Sequence, residues 1–451
     1  MKYLKNLTAM TMVVMFALTS TVDAKVTGVK SGSGFDYRTS SMVKSSGTFD
    51  GNRIYADVTN NGLILDYHIS GDSALEWPKG TGVHSIFQSA LWLAALVDTG
   101  TVDANGDPVM QSRVAAGTYT QDMGPGPYAG DSAVHRVYKV AKEMMDDPEN
   151  HTDFQEWPAE WGAPWVDVDG DGSYNPLPEG TDHPDFVGDQ MLWFVSSDKD
   201  PLTKQNFNTG PLGVEVQTTM FGFDRIDAIG DMLFVKMLVI NKGENDLEDM
   251  YLGVWSDPDL GYAGDDLVGS NPELGYGYVY NDGFDRYYDN LDIRTPAVGY
   301  DFFQGPKVPC RTDLTNEDGD PIDDPDCTTE GAKMYGQYFP GEKNLKMSSF
   351  AFYINSDQTF TDPDNEDEVY NYMKGKMKDG KDYDETIVGD QYGGNFVFWG
   401  DPSQEHGVSN PVDGNYAAAA DRRFLMNVGP FTMDAPTTPG GDDGDKQEIV
   451  F

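Results

Sequence analysis

Four apolar runs in the middle of the chain decide the fold: residues 190–195 (QMLWFV), 214–223 (VEVQTTMFGF), 232–241 (MLFVKMLVIN) and 250–255 (MYLGVW). The second run alternates apolar and polar side chains, which is typical of a strand with one buried face. The others are almost continuously apolar and have the length of a buried strand. Short polar segments separate strands of this kind in antiparallel sheets, so the pattern predicts a large antiparallel β-sandwich.

The composition extends this prediction to the whole chain. Gly (50) and Pro (26) imply many turns, and we expect a mainly β fold with long acidic, calcium-binding loops and one or two short helices. The predicted segments are a signal peptide at 1–24, an N-terminal β region with one helix at 25–150, a calcium-loop segment at 151–200, and the β-sandwich region at 201–451.

One helix is predicted within the N-terminal region. Val134 and Val137 begin a set of apolar residues at helical spacing, and Pro148 would end the helix, which gives it the span 132–147. A second short helix or a turn is expected at 368–378.

The strongest chemical motif is an acidic loop within the segment 151–200. Asp167, Asp169 and Asp171 occupy its first, third and fifth positions, and glycine follows at the sixth. Ca²⁺ is a hard cation that takes about six to eight oxygen ligands, and the glycine permits the sharp turn around it. Ser173 would add its backbone carbonyl, and Asn175 a side-chain oxygen or a water.

The loop departs from a helix-loop-helix calcium site after this point. Pro178 stands at the twelfth position, where that site has a bidentate Glu. The nearest acids beyond it are Glu179 and Asp182, and we take Asp182 as the further ligand. Pro176 and Pro178 also prevent an exiting helix. The loop is therefore similar to dockerin or thrombospondin type 3 calcium loops. A solvated Asp/Gly turn is the alternative, although three neighbouring carboxylates would repel one another in it.

A second carboxylate cluster follows a predicted strand and contains Asp257, Asp259, Asp265 and Asp266. Three interpretations remain open: a second, weaker calcium site, a solvated turn, and a pair of catalytic carboxylates. Glycoside hydrolysis requires two carboxyl groups about 5 to 10 Å apart, a separation that the sequence does not specify.

Cys310 and Cys327 are the two cysteines of the chain. In an exported protein we expect them to form a disulfide that closes the short acidic loop between them, with a stabilisation of about 3 kcal/mol. Residues 316–320, together with Asp323 and Asp324, would either hold a third ion or form a disordered acidic loop.

Charge and the start of the chain restrict location and partners. The 75 acidic against 31 basic residues give a formal net charge of −44, which disfavours nucleic acid and anionic lipid as partners. A basic start, an apolar run over 7–18 and a small residue at Ala24 are typical of a secretory signal peptide. This run is too short to span a bilayer, and we find no other segment that approaches a length of about 18 apolar residues, so the mature chain is expected to be soluble and exported.

No catalytic signature is present. The histidines are scattered without zinc spacing, and the chain has no nucleophile elbow, phosphate-binding loop or dinucleotide fingerprint. We therefore assign no catalytic residue.

Several short motifs together resemble large exported proteins of Bacteroidota-like bacteria. The motifs are 75–80 (LEWPKG), 157–158 (WP) followed by 162–164 (GAP), the acidic loop, 188–193 (GDQMLW), 240–243 (INKG), 251–261 (YLGVWSDPDLG) and 299–306 (GYDFFQGP). Proteins of that kind typically end in a sorting domain read by the type IX secretion system, and no such domain is present here. The resemblance implies an extracellular or cell-surface location, and it does not imply an activity.

The end of the chain carries a separate prediction. Residues 447–451 alternate like a strand and stop on an apolar residue, after a Pro-, Gly- and Asp-rich loop at 436–445. We therefore expect this sequence to be the amino-terminal part of a longer protein.

The predicted function is an exported, calcium-stabilised, non-catalytic module for adhesion, matrix building or glycan contact, with polysaccharide or other surface proteins as partners. The alternative is a carbohydrate-active enzyme, a glycoside hydrolase or lyase, that uses paired carboxylates. A concave cleft with two facing carboxyls and exposed aromatic residues would favour the enzyme.

Overall fold

The computed structural model describes residues 46–69, 74–129, 135–177, 182–200, 203, 206–207, 209–316, 319–389, 391–404, 406–407 and 418–451. The predicted signal peptide lies outside the described residues, and so do Pro178, Glu179 and two acids of the Cys310–Cys327 loop, Glu317 and Asp318. Within these ranges the protein is mainly β with antiparallel sheets, as predicted.

The strands are β1 Ser46–Phe49, β2 Tyr55–Thr59, β3 Leu63–Leu65, β4 Leu75–Glu76, β5 His84–Ile86, β6 Gln88–Val102, β7 Pro108–Ala116, β8 Gly124–Pro125, β9 Tyr138–Ala141, β10 Trp165–Val166, β11 His183–Pro184, β12 Gln190–Ser197, β13 Val214–Gly222 and β14 Phe234–Asn241. They continue with β15 Leu247–Asp257, β16 Asp266–Asn271, β17 Tyr276–Asn281, β18 Val298–Asp301, β19 Lys307–Pro309, β20 Ala332–Met334, β21 Gln337–Phe339, β22 Glu342–Asn344, β23 Ser349–Ile354, β24 Gly400–Asp401, β25 His406–Gly407, β26 Arg422–Met433 and β27 Lys446–Val450. The four apolar runs quoted above thus form β12 to β15.

Two six-stranded sheets dominate the architecture. The β13 sheet has the order β27-β14-β13-β12-β8, with β9 also paired to β12, and the β15 sheet has the order β23-β26-β15-β6-β3, with β7 paired to β6. A four-stranded sheet (β1-β2-β4-β5) and a three-stranded sheet (β16-β17-β18) accompany them. The two-stranded pairs are β10-β11, β19-β22, β20-β21 and β24-β25.

Strand β12 is apolar at nearly every position because both of its faces are buried. Leu192 and Phe194 point into a large apolar cluster, the main core, to which both six-stranded sheets contribute. The alternate residues belong to a separate cluster, the small core, which consists of Tyr138, Val140, Trp157, Ala163, Met191, Trp193 and Val195. Because side chains alternate between faces along a strand, a strand covered on both faces is apolar at every position.

The helix predicted at 132–147 is wrong over its described part. Tyr138–Ala141 is strand β9, paired with Gln190–Trp193 of β12, and Lys142–Asp146 is a short 3-10 turn. Tyr138 and Val140 both enter the small core, which a two-residue period allows. Pairing with β12 therefore outweighs the helical spacing of the apolar residues.

The α-helices among the described residues are short: α1 Thr152–Gln155, α2 Arg286–Asp289, α3 Glu366–Met373 and α4 Glu385–Val388. They exceed the predicted one or two. Helix α3 begins close to the helix or turn expected at 368–378, and the Asn365 side chain accepts a hydrogen bond from the Glu368 N–H at 3.1 Å at its start.

A search of the described residues for a helix long and apolar enough to cross a membrane finds none.

The last described strand, β27, lies at one edge of the β13 sheet, where it pairs with β14 from Lys236↔Val450 to Ile240↔Lys446. The continuation of the chain beyond Phe451 stays a prediction.

Candidate metal centres

The acidic loop is held at both ends by a short pair of strands. Trp165 of β10 lies opposite Pro184 of β11, and Val166 lies opposite His183. On the inner side, Trp165 and Tyr174 pack against the small core. The loop therefore projects from a fixed base on the outer face of the β13 sheet.

Three of the predicted ligands converge in this loop. Asp167, Asp169 and Asp182 each offer a carboxylate oxygen, and these oxygens lie within 4.8 Å of one another. Asp167 and Asp169 are exposed, whereas Asp182 is 1% exposed. Asp182 accepts hydrogen bonds from the backbone N–H groups of Val168 (2.8 Å) and Asn175 (2.9 Å).

The other predicted ligands lie beside this group. Asp171 accepts hydrogen bonds from the Ser173 N–H at 2.8 Å and from Asn175 Nδ2 at 3.1 Å. These contacts join the remaining predicted ligands to one another, outside the group of three carboxylates. The roles of Asp171, Ser173 and Asn175 as calcium ligands stay predictions.

The glycines of the motif have a defined structural role. Gly170 and Gly172 adopt φ values of 76° and 79°, in the left-handed region that glycine enters without steric cost. Their N–H groups donate to the two carboxylate oxygens of Asp167, at 2.7 and 3.0 Å. The loop backbone thus curls around the first carboxylate, as the sharp turn of a calcium loop requires.

The donor set fits a hard cation. It consists of carboxylate oxygens, with further carbonyl, hydroxyl and amide oxygens on the same loop, and it contains no nitrogen or sulfur ligand of the kind that zinc prefers. The ion pairs formed by described Lys and Arg residues involve other carboxylates. Asp167, Asp169 and Asp182 therefore have mutual repulsion that no neighbouring cation within the described chain offsets.

A second convergence involves Asp257 and Asp259, with a partner that the sequence did not indicate. Their carboxylate oxygens lie within 4.8 Å of one from Asp421, which immediately precedes β26. Asp257 is 1% exposed, and one oxygen of Asp257 and one of Asp259 are buried without a hydrogen-bond partner among the described residues. The remaining members of the predicted cluster lie apart: Asp265 contacts Asn281, and Asp266 accepts from the Leu260 N–H at 3.1 Å.

A guanidinium compensates much of this negative charge. Arg423 contacts Asp257 Oδ2 at 3.0 Å and Asp421 Oδ1 at 2.8 Å. The Tyr119 hydroxyl donates to the same Asp257 oxygen at 2.7 Å and accepts from Arg423 Nε at 2.8 Å. This cluster is therefore an ion-paired network, unlike the acidic loop.

Burial and repulsion nevertheless perturb the two adjacent carboxyls. Burial raises the pKa of Asp257, and Arg423 acts in the opposite direction. Burial also raises the pKa of Asp259, and the neighbouring charge of Asp257 raises it further. The pair holds a proton more readily than free carboxylates do.

Sequence reasoning missed Asp421, Arg423 and Tyr119 because they are distant along the chain from Asp257. For Asp421 and Arg423 the signal lay in strand register: Ser256 lies opposite Phe424, so the residue after Ser256 and the residues before Phe424 meet at the same end of the two strands. That register is set by the pairing of β15 with β26 and is not visible in either strand alone.

The loop closed by Cys310 and Cys327 has a different character. The two cysteines are bonded, with a Cα separation of 6.0 Å, as predicted. Asp324 pairs with Lys343 Nζ at 2.7 Å and accepts from the Arg311 N–H at 3.0 Å, and the lysine contact lowers its pKa to about 2. Lys343 thus compensates the charge of Asp324, and a third ion in this loop stays a prediction.

A scan against protein-family models and a search of curated proteins return no match to this chain.

Proposed function

We propose that this protein is an exported, calcium-stabilised, non-catalytic module that contacts glycans or other surface proteins. The observation that carries the proposal is the convergence of Asp167, Asp169 and Asp182, three carboxylates within 4.8 Å and without a neighbouring cationic side chain among the described residues. A bound Ca²⁺ would remove their repulsion and fix an otherwise irregular loop.

The donor types support calcium over other metals. Oxygen ligands suit Ca²⁺ and Mg²⁺, and an irregular loop with mixed carboxylate and backbone oxygens suits the flexible coordination of Ca²⁺ better than the strict octahedron of Mg²⁺. Exposure of Asp167 and Asp169 is consistent with the weaker sites of extracellular modules, whose Kd is about 0.1–1 mM. We assign calcium to this loop first, since Arg423 already pairs with Asp257 and Asp421 in the second cluster.

Fold and location belong to the same proposal. We infer that the two six-stranded sheets form a β-sandwich, because both contribute to the main core. The disulfide, the net charge of −44 and the resemblance to exported proteins of Bacteroidota-like bacteria support an extracellular or cell-surface location.

One observation favours the enzymatic alternative. The raised pKa values of Asp257 and Asp259 are the kind of perturbation that general acid catalysis uses. Against it, Asp257 is 1% exposed, and its charge is engaged by Arg423 and Tyr119. Release of reducing ends from polysaccharides tests this alternative, with Asp259→Asn as the inactive variant.

Thermal unfolding with calcium and with a chelator tests the proposed function. We expect chelation to lower the melting temperature of the wild-type protein and to leave Asp169→Ala unchanged. An identical wild-type melting curve in both conditions would remove the basis of the proposal.

A further inference from the structure

A hollow of about 750 Å³ opens directly beside the acidic loop. Its lining combines aromatic rings with charged and polar groups, a mixture that ligand pockets use to bind and orient small molecules. The lining residues that matter here are Arg136, Glu156, Glu160, Trp161, Trp165 and Tyr174. We refer to this hollow as the loop pocket.

One wall of the loop pocket, at Arg136, is fixed by contacts within the protein. Arg136 binds Asp153 Oδ1 through two nitrogens, at 2.9 and 3.1 Å, and Glu156 at 2.8 Å. The same guanidinium lies 4.3 Å from the centre of the Tyr138 ring, in the small core. This side of the pocket is therefore preorganised before any ligand binds.

The opposite wall belongs to the acidic loop. Gly172, Ser173 and Tyr174 all line the pocket. The Gly172 N–H donates to Asp167, which is one of the three converging carboxylates. The Tyr174 ring meets Trp165 edge to face at 5.7 Å, and its hydroxyl donates to the Phe154 carbonyl at 2.6 Å. An ion held by the loop would therefore fix one wall of the pocket.

The chemistry of the lining matches a sugar ring. Trp161, Trp165 and Tyr174 are partly exposed aromatic side chains, and a pyranose presents apolar C–H faces that pack against such rings. Glu156 and Glu160 are exposed carboxylates at the same pocket and can accept hydrogen bonds from sugar hydroxyls, while Arg136 can donate them.

The charge of the residues that line the loop pocket determines which sugars can bind there. Arg136 is shared between Asp153 and Glu156, and Glu160 forms no ion pair with another described residue, so the pocket has an excess of negative charge. Uronate or sulfate groups would be repelled, both locally and by the net charge of −44. An uncharged polyhydroxylated ligand is compatible with this field.

We propose that the loop pocket binds a residue of a neutral glycan, and that this binding depends on calcium in the acidic loop. The inference rests on the proposed function and adds to it the ligand class, the contact residues and the linkage between ion and ligand. By reciprocity, a bound glycan would also increase the affinity of the loop for Ca²⁺.

The test is affinity electrophoresis of the folded protein through gels that contain xylan, mannan, mixed-linkage β-glucan or, as an anionic comparison, alginate. Each gel is run with Ca²⁺ and with a chelator. The pocket variants are Trp161→Ala and Glu160→Gln. Phe284→Ala is the matched control, because Phe284 is an aromatic residue that is 84% exposed and lines a different groove.

We expect retardation by at least one neutral polymer in Ca²⁺, no retardation by alginate, and loss of retardation in chelator. Trp161→Ala should weaken binding about tenfold, which corresponds to about 1.4 kcal/mol and is within the range of one aromatic contact, whereas Phe284→Ala should bind like wild type. Glu160→Gln should weaken binding less, because an amide oxygen still accepts hydrogen bonds.

Three results would overturn the inference: no retardation by any of the neutral polymers, retardation that persists in chelator, or loss of binding in Phe284→Ala with Trp161→Ala unaffected. The calcium dependence of the melting temperature, measured on the same samples, tests the calcium proposal independently of the glycan inference. If that shift is present while glycan binding is absent, the glycan inference fails and the calcium proposal stands.

Discussion

The carboxylate of Asp182 accepts a hydrogen bond from the backbone N–H of Val168 at 2.8 Å, and so joins the exit of the acidic loop to its entrance. Asp182 is buried, whereas Asp167 and Asp169 are exposed. Asp182 therefore has two roles, since it closes the loop through backbone hydrogen bonds and also directs an oxygen to the converging group. Asp167 has a related double role through Gly170 and Gly172.

This difference predicts distinct effects for two substitutions in the loop. Asp169→Ala should abolish most of the calcium-dependent stabilisation, about 2.7 kcal/mol at a hundredfold excess of ion over Kd, with little effect in chelator. Asp182→Ala should lower the melting temperature even in chelator, because the backbone N–H groups of Val168 and Asn175 lose the buried carboxylate that accepts from them. Melting curves of both variants in both conditions check this, and equal behaviour of the two variants would contradict it.

The network at Asp257 predicts that Arg423 stabilises the fold. Arg423→Met should cost about 3–5 kcal/mol, because it leaves Asp257 buried without its cationic partner. The double variant Asp257→Asn with Arg423→Met should lose less than the sum of the single losses. Denaturant unfolding of the four proteins measures this. A single Arg423→Met loss below about 1 kcal/mol would indicate that the pair is not buried as described.

A third prediction concerns pH. Burial raises the pKa of Asp301 from 3.8 to about 7, so the folded state holds this proton more tightly than the unfolded state. The penalty for its charged form is absent below about pH 4 and grows as the pH rises to about 7, so stability falls across that window. Asp301→Asn should therefore be more stable than wild type at pH 8, by about 1–2 kcal/mol after allowance for solvent screening, and nearly equal to it at pH 4.

Unfolding curves of both proteins between pH 4 and pH 8 check whether the stability advantage of Asp301→Asn grows as the pH rises. A constant difference between Asp301→Asn and wild type across the range would show that the carboxyl does not titrate abnormally.

A fourth prediction concerns the disulfide. Cys310 and Cys327 are 17 residues apart in sequence, so reduction should destabilise the protein by about 3 kcal/mol through the entropy of the opened loop. The double variant with both cysteines changed to Ser should melt at the temperature of the reduced protein. Its melting temperature should not change when reductant is added. Mass spectrometry of a non-reduced digest provides the direct check, and two free thiols in protein from an oxidising compartment would refute the bond.

Local sequence patterns predicted much of the fold. The runs that became β12 to β15 carry strand length and composition within themselves, and the acidic loop carries its ligand spacing in consecutive residues. The failure at 132–147 has a physical cause. The apolar–polar alternation at Tyr138 and Val140 is too short to outweigh the helical spacing of the apolar residues around it. These two residues form a strand because they pair with β12, about fifty residues later.

The second cluster was predictable only in part for the same reason. Asp257 and Asp259 are neighbours in sequence, but Asp421 and Arg423 reach them through the pairing of β15 with β26. The compensating charge therefore depends on long-range register, which no short motif encodes.

Calorimetric titration of Ca²⁺ into the metal-free protein, with Asp169→Ala as the matched variant, measures directly whether the acidic loop binds calcium. We expect saturable binding to the wild-type protein with a Kd at or below about 1 mM, and loss of that binding in the variant. No saturable heat at millimolar calcium, or binding that Asp169→Ala leaves unchanged, would contradict it.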